Sequence, residues 1–335
     1  MLEIAKFLCR FVMREPLLLV LLIPVIALGQ NDLNDIKQAA EKGDADALYR
    51  LGLVYIYGEG EQRDLDEGTK YLRMAAGLDN IDAQLMYAEM LADGDMIEEN
   101  DAEAAYWFLQ AAELGNPAAQ YNFAKMMVYG EGIPKNPTQA IKWYRLAAEQ
   151  GNVKAQFELG NKYDNGEGVP EIDTEAIKWY RLAAVQGHVN AQLNLGVMYD
   201  KGEGVAENNI ESLKWYRLAA EQGHANAQLN LGAMYDKGEG VPENDFEAVK
   251  WYRLAAEQGN ATAQNNLGWK YANGQGVPQN LTRAYVWFSI SVALGLDSAR
   301  ANRASAADEL TPEQLTEGQA LAAQCFESRF KDCPF

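Results

Sequence analysis

The chain has 335 residues, of which 48% are hydrophobic, 23% charged and 10% aromatic, a balance that suits a folded protein and excludes a disordered or collagen-like one. Asp and Glu number 48 against 29 Lys and Arg, a formal net charge of −19 at pH 7, so the average field repels a polyanion and nucleic acid is not an expected partner. Three cysteines and two histidines leave little material for a metal site of soft ligands, which argues against a zinc enzyme.

At the amino terminus Lys6, Arg10 and Arg14 precede an apolar stretch from Pro16 to Leu28. A membrane-spanning helix needs about 20 apolar residues, and this shorter run fits the hydrophobic region of a secretory signal. Ala27-Leu28-Gly29 supplies a small-x-small cleavage pattern. The expectation is that residues 1–29 are a leader, that the mature chain begins near Gln30, and that the protein is exported to the periplasm or beyond. Glu3 and Glu15 lie in the basic region, so the alternative is an uncleaved anchor in the inner membrane. No cysteine follows the apolar run, and lipid attachment at the cleavage site is not supported.

From residue 44 to 295 the chain repeats every 36 residues without insertion or deletion. Glycines mark the period at Gly58, Gly94, Gly130, Gly166, Gly202, Gly238 and Gly274. A large aromatic column runs Tyr71, Trp107, Trp143, Trp179, Trp215, Trp251 and Trp287, and Ala-Ala pairs follow it in all repeats but the last, where Ser291-Val292 stands. The units are 44–79, 80–115, 116–151, 152–187, 188–223, 224–259 and 260–295.

Residues 224–259 show what one unit is. Ala227, Leu231, Met234 and Tyr235 fall on one face of a helix, which Gly238 ends. The following loop holds two glycines and Pro242, and Asp245 is the expected cap of a second helix. There Ala248, Trp251, Tyr252 and Ala255 repeat the helical spacing, and Gly259 closes it. Gly232 and Ala255-Ala256 are small where two helices must approach, while Trp251 and Tyr235 bring apolar area. The unit is a helical hairpin, and neither helix buries its face alone.

Ala227-Gln228, Leu231-Gly232, Tyr235, Gly238, Gly240-Val241-Pro242, Ala248, Trp251-Tyr252, Ala255-Ala256 and Gly259 resemble the Sel1-like repeat family, relatives of the tetratricopeptide repeats. The pattern is weakest in the first two units, where Ala88 replaces the helix glycine and Met96 the second loop glycine. The resemblance implies an all-α fold, a right-handed α/α superhelical solenoid of seven hairpins. It also implies an adaptor that binds another protein, has no catalytic residues and needs no cofactor. In bacteria many members are exported. Some serve as immunity proteins against secreted toxic enzymes such as type VI lipase effectors, and others regulate cell-wall hydrolases. The Cys-rich branch carries a cysteine pair in each repeat, and this chain departs from it.

Both ends read as caps, as a stacked array requires. Residues 30–43 are expected to form a lone helix closing the first repeat, since Ala39-Ala40 and Gly43 keep the register. Residues 296–335 are expected to hold two further helices, one over 297–309 and one from about 312 to 328 begun by Thr311-Pro312-Glu313-Gln314. Cys325 and Cys333, the cysteines left after export, are expected to be bridged in an oxidising compartment.

The catalytic search returns nothing with a complete motif. His188 and His224 hold the hairpin-junction position that is Asn116, Asn152 and Asn260 elsewhere, which favours a turn role over a metal site. Ser328-Arg329-Phe330-Lys331 has the Ser-x-x-Lys form of β-lactam-binding hydrolases but lacks the companion motifs. The Gly-Glu-Gly loops have no following Lys-Ser or Lys-Thr and carry acid, so they are turns and not phosphate cradles. Lys142, Lys178, Lys214 and Lys250, with Arg145, Arg181, Arg217 and Arg253, form columns on the second helices that read as a solvated face with i,i+4 pairs such as Arg253 and Glu257.

The candidate site is a second stripe on the first helices, about 200° from the core stripe at 100° per residue. It holds Tyr49 and Tyr57, Tyr121 and Tyr129, Phe157 and Asp164, Asp200, Asp236, and Trp269. By analogy with related solenoids first helices line the concave groove, and aromatics beside carboxylates there suit protein binding. The competing reading is that these side chains pack between neighbouring repeats.

Overall fold

The computed structural model describes residues 30–330 and Cys333; the leader expected over 1–29 and Lys331 lie outside the described residues. Among the described residues all regular structure is helical. It falls into two compact units, one ending at Ala155 and one beginning at Gln156.

The first unit opens with α1 (Gln30–Glu41), which packs on α2 (Ala45–Tyr57), and continues as hairpins α2/α3 (Leu65–Ala76), α4 (Ile81–Asp93)/α5 (Asp101–Glu113) and α6 (Pro117–Tyr129)/α7 (Pro137–Glu149). Helix α8 (Val153–Asn165) starts three residues before the boundary and belongs mainly to the second unit. There it is followed by α9 (Asp173–Val185), the hairpins α10 (Val189–Lys201)/α11 (Asn209–Glu221), α12 (Ala225–Lys237)/α13 (Asp245–Glu257) and α14 (Ala261–Asn273)/α15 (Leu281–Ala293), then α16 (Ala299–Glu309) and α17 (Pro312–Glu327). No described helix is long and apolar enough to cross a membrane.

The sixth repeat shows how the local rules act. Helix α12 ends where Gly238 turns left-handed at φ 72° and its N–H bonds the Met234 carbonyl. The cap of α13 is Asn244, whose side chain accepts from the Glu247 N–H at 3.2 Å. Asp245, expected to be the cap, is the first helical residue, and its carboxylate is taken by Lys270 at 2.7 Å. Either side chain can cap; the register is that of the repeat, since Asn100, Asn136, Asn208 and Asn280 cap their second helices at the same position.

Two glycines are required by close approach. A Cβ on Gly232 would stand 2.7 Å from the ring of Tyr252, and the same contact recurs for Gly160, Gly196 and Gly268 against Tyr180, Tyr216 and Phe288. Gly240, at φ 69°, brings its loop onto the start of the preceding second helix, where a Cβ would lie 2.4 Å from the Asn209 carbonyl oxygen. The first contact closes the hairpin and the second stacks it on its neighbour. Tyr252 and its counterparts are buried by the approach, each worth about 2–3 kcal/mol of removed apolar surface.

Polar groups inside the stack are paired between repeats. Gln228 is buried, donates to the Ala220 carbonyl at 3.1 Å and accepts from Gln258 at 2.8 Å, so it satisfies a carbonyl that the end of α11 leaves over. Gln192 and Gln120 repeat the arrangement with Gln222 and Gln150. Arg217 and Arg253 donate to the hydroxyls of Tyr235 and Tyr271 in the next repeat at 2.6 and 2.7 Å, and Arg181 donates to Tyr199. The arginine column is therefore a bridge between repeats as well as a solvated row.

The carboxyl end departs from the repeat. Helix α16 follows α15 as any first helix would, but α17 turns back and packs on α15. A Cβ on Gly318 would stand 3.0 Å from the Tyr285 ring and 3.6 Å from the Thr282 methyl. The capping box at its start forms, Thr311 N–H donating to Gln314 Oε1 and Thr311 Oγ accepting from the Gln314 N–H. Cys325 is buried and bridged to Cys333, with Cα atoms 4.6 Å apart. Between them Phe330 packs edge-on against Phe326, 5.7 Å between centroids, and rests on Gly259.

Candidate functional site

The aromatic stripe is set by helical periodicity, because each first helix spends its small and aliphatic residues on its own hairpin and leaves the opposite face to other uses. In the first unit Tyr49 and Tyr57 are half-buried on α2. Burial first, then the carboxylates of Asp82 for Tyr49 and Glu59 for Tyr57, hold both phenols above their ordinary pKa, and Glu89 adds to each. Tyr121 on α6 packs its ring 5.8 Å from Tyr144 of its own repeat. Tyr129, at the last turn of α6, is 64% exposed.

In the second unit Phe157 is shared between Tyr180 of its own repeat, at 5.9 Å, and the ring of His188 in the next, stacked at 4.3 Å. His188 caps α10, accepting from the Ala191 N–H through Nδ1 at 3.3 Å. His224 occupies the same cap position without that bond. Trp269 on α14 is 46% exposed, with the Lys270 ammonium 5.7 Å from its ring centroid.

The three aspartates are engaged by their own hairpins, and Asp236 also accepts from Lys270 of the next repeat. Tyr180 donates to Asp164 at 3.0 Å, Tyr216 to Asp200 at 3.5 Å and Tyr252 to Asp236 at 3.1 Å, each pair 16 residues apart. Burial raises the pKa of Asp164 and Asp200, and burial followed by the facing carboxylate raises that of the tyrosines. The aspartates therefore anchor buried phenols while keeping one side toward solvent. Of the nine stripe residues Tyr129 and Trp269 present the freest aromatic surface; the other four rings are partly spent on packing.

Two functional features of the framework carry signals that the sequence reading passed over. The Met column of the first helices, Met90, Met126, Met198 and Met234, is broken by Lys162 and Lys270. Lys270 is buried and donates to Asp236, to Asp245 at 2.7 Å and to Gln275 at 3.3 Å. Burial pulls its pKa down, but the two carboxylates outweigh it and the pKa is raised. Lys162, also buried, reaches Glu167 at 2.6 Å. The second feature is the Ala-Gln dipeptide, whose glutamine is the buried inter-repeat link described above.

Among the described residues no three His, Cys, Asp or Glu side chains stand close enough to hold a metal ion. The Ser328 hydroxyl donates to the Cys325 carbonyl at 3.0 Å as part of the turn ending α17. Two open depressions of about 370 Å³ each lie off the stripe, one over α3 between Asp66, Arg73 and Tyr87 and one at the α1–α2 junction.

Glycine-locked hairpins and glutamine links between repeats define a helical-repeat protein of the solenoid class. The Sel1 repeat model matches residues 45–80, 81–116, 117–152, 153–188, 189–224, 225–260 and 261–296, and the chain belongs to the Sel1 repeat family. It is similar to a Sel1 repeat protein from Oxalobacter formigenes, 32% identical over 80% of this chain and 78% of that one, with a TM-score of 0.65. A protective antigen of uropathogenic Escherichia coli with an SLR fold is 26% identical over 90% and 88% of the two chains, with a TM-score of 0.37. An immunity protein from Pseudomonas aeruginosa is 22% identical over 76% and 82%, with a TM-score of 0.36. A search of the curated proteins gave no match.

Proposed function

We propose that this Sel1 repeat protein is an exported, non-enzymatic adaptor that binds another protein through the stripe on its first helices. The observation that carries the reading is the state of Tyr129 and Trp269, which stand 64% and 46% exposed on first helices. Exposed Tyr and Trp on a rigid scaffold are the side chains that anchor protein interfaces, because they bury much area while losing little conformational freedom. Tyr49, Tyr57 and Tyr121 in the first unit and Phe157 in the second add partly buried edges, and Asp164, Asp200 and Asp236 supply carboxylates already fixed by a tyrosine hydroxyl, that of Asp236 shared with Lys270. A surface fixed in advance lowers the ordering cost of association. Export rests on the basic and apolar pattern of residues 1–29.

The test is capture from the native cell envelope with the full chain, beside a variant carrying Tyr129→Ala and Trp269→Ala. Both side chains are exposed, so the variant should keep its thermal midpoint within about 2 °C, as surface substitutions do. One protein retained by the first and lost by the second supports the proposal. A secreted toxic enzyme in that place defines an immunity protein, and a cell-wall hydrolase defines a regulator. Identical capture by both chains removes the stripe as the site. Amino-terminal sequencing of the same material tests export: a start near Gln30 supports the leader, and a start at Met1 on soluble protein contradicts it.

A further inference from the structure

The outer faces of the second helices are not alike. On α15 the stripe Thr282, Val286, Ile290 lies beneath α17: Val286 and Ile290 are fully buried in the cluster that contains Cys325 and against which Leu321 and Ala322 pack. The same stripe on α11 reads Ile210, Lys214, Leu218 and on α13 Phe246, Lys250, Leu254, and nothing described covers either. Phe246 and Ile210, at 77% and 70%, are the most exposed large apolar side chains among the described residues. The two helices are neighbours in the stack, since Trp251 of α13 packs in the cluster of Tyr216, Ala219 and Ala220 of α11.

We infer that the outer stripes of α11 and α13 form a second docking surface, which takes an amphipathic helix of a partner protein carrying a carboxylate in the middle of its apolar face. The chain itself shows the mode, because an amphipathic helix already sits on the homologous stripe of the next repeat. The difference between the stripes states what the partner must carry. Where α15 presents Val286 to its cover, α11 and α13 present an ammonium between two apolar anchors. Lys214 and Lys250 now meet Glu211 and Glu247 one turn earlier, at 3.6 and 3.2 Å, and lie beside their own Trp215 and Trp251 rings. Both lysines are more than half exposed, and pairs of that kind exchange at little cost. An anionic membrane is the poorer occupant: Glu211 and Glu247 stand on the same surface, and the chain carries −19 overall.

The probe is a fluorescent helical peptide with a leucine face interrupted by one central glutamate, with a counterpart carrying lysine there, titrated against the full chain by anisotropy. Saturable binding of the glutamate peptide is expected. It should weaken at least tenfold with Ile210→Asp plus Phe246→Asp, and at least fivefold with Lys214→Glu plus Lys250→Glu, the latter variant gaining the lysine peptide instead. Tyr129→Ala plus Trp269→Ala should leave it unchanged, which separates this surface from the first-helix stripe. Absence of saturable binding overturns the inference, as does binding indifferent to the four outer-face substitutions. Binding to phosphatidylglycerol vesicles through Ile210 and Phe246 without peptide binding also overturns it, in favour of a membrane contact.

Discussion

Helices α13 and α15 occupy the same place in successive repeats, and their inner faces are nearly interchangeable. Ala248, Trp251, Tyr252 and Ala255 on the first are matched by Ala284, Trp287, Phe288 and Ser291 on the second, all buried. The outer faces differ. Lys250, Leu254 and Glu257 become Val286, Ile290 and Ala293, and exposure at the middle of these positions falls from 38% at Leu254 to 1% at Ile290. An apolar outer face is buried where something lies on it, and α17 covers Val286 and Ile290. The inner face of a repeat thus records the fold, while the outer face records what, if anything, lies on it.

The comparison breaks most visibly at its centre. Ile290→Asp places a carboxylate between α15 and α17 and should cost about 3–5 kcal/mol by denaturant unfolding. Leu254→Asp, one repeat earlier, should stay within about 1 kcal/mol. Equal losses would mean that α17 does not distinguish the two faces.

A smaller effect is expected from the clasp. Replacing Cys325 and Cys333 by Ser should remove about 2–3 kcal/mol, concentrated where the bridge acts. Hydrogen exchange should speed in α15 and α17 and stay unchanged in α10 to α12, because repeats communicate with neighbours only. Uniform acceleration would contradict a local clasp.

The inner faces should respond alike. Gly232→Ala and Gly268→Ala each push a methyl against a ring, Tyr252 in one case and Phe288 in the other, at 2.7 and 2.8 Å. Each should lower stability by about 1–3 kcal/mol in urea unfolding, to similar extents. A loss in one alone would show that the two hairpins are not closed by the same contact.

Lys270→Met, which restores the column residue of the neighbouring repeats, removes one partner of the cluster and leaves the carboxylates of Asp236 and Asp245 without their cation; because both are partly exposed, the loss at pH 7 should be about 1–2 kcal/mol in urea unfolding. Its pH dependence has a definite sign. The folded pKa of Lys270 is raised, so its contribution is fully present below the unfolded value of about 10.4 and is lost as pH climbs through the folded value. Wild type should weaken more than the variant above that point; parallel profiles would remove the cluster as the cause.

Much of the framework was legible because each repeat restates it. The period, the hairpin and the glycine ends follow from columns that recur seven times, and the Thr311 capping box from a local motif. The side-chain roles that escaped depend on partners far along the chain. Asp164, Asp200 and Asp236 read as groove acids until the tyrosine 16 residues later is seen to donate to each. Asn244 and Asp245 are equally good caps on paper, and the choice follows the register of the other repeats, where Asn100, Asn208 and Asn280 cap at the same position. The cover on α15 had a signal, the loss of every charge after Arg283 in that helix, which helical periodicity weighed over the inner face alone does not register.

The central claim is that the first-helix stripe meets a protein. It is tested most directly by placing a photoreactive phenylalanine analogue at position 269, and in a second chain at position 142 on the outer face of α7, and irradiating intact cells. The account predicts one discrete adduct from position 269 whose second component is a single envelope or secreted protein, and none of that size from position 142. No adduct at 269, or the same adducts from both positions, would contradict it.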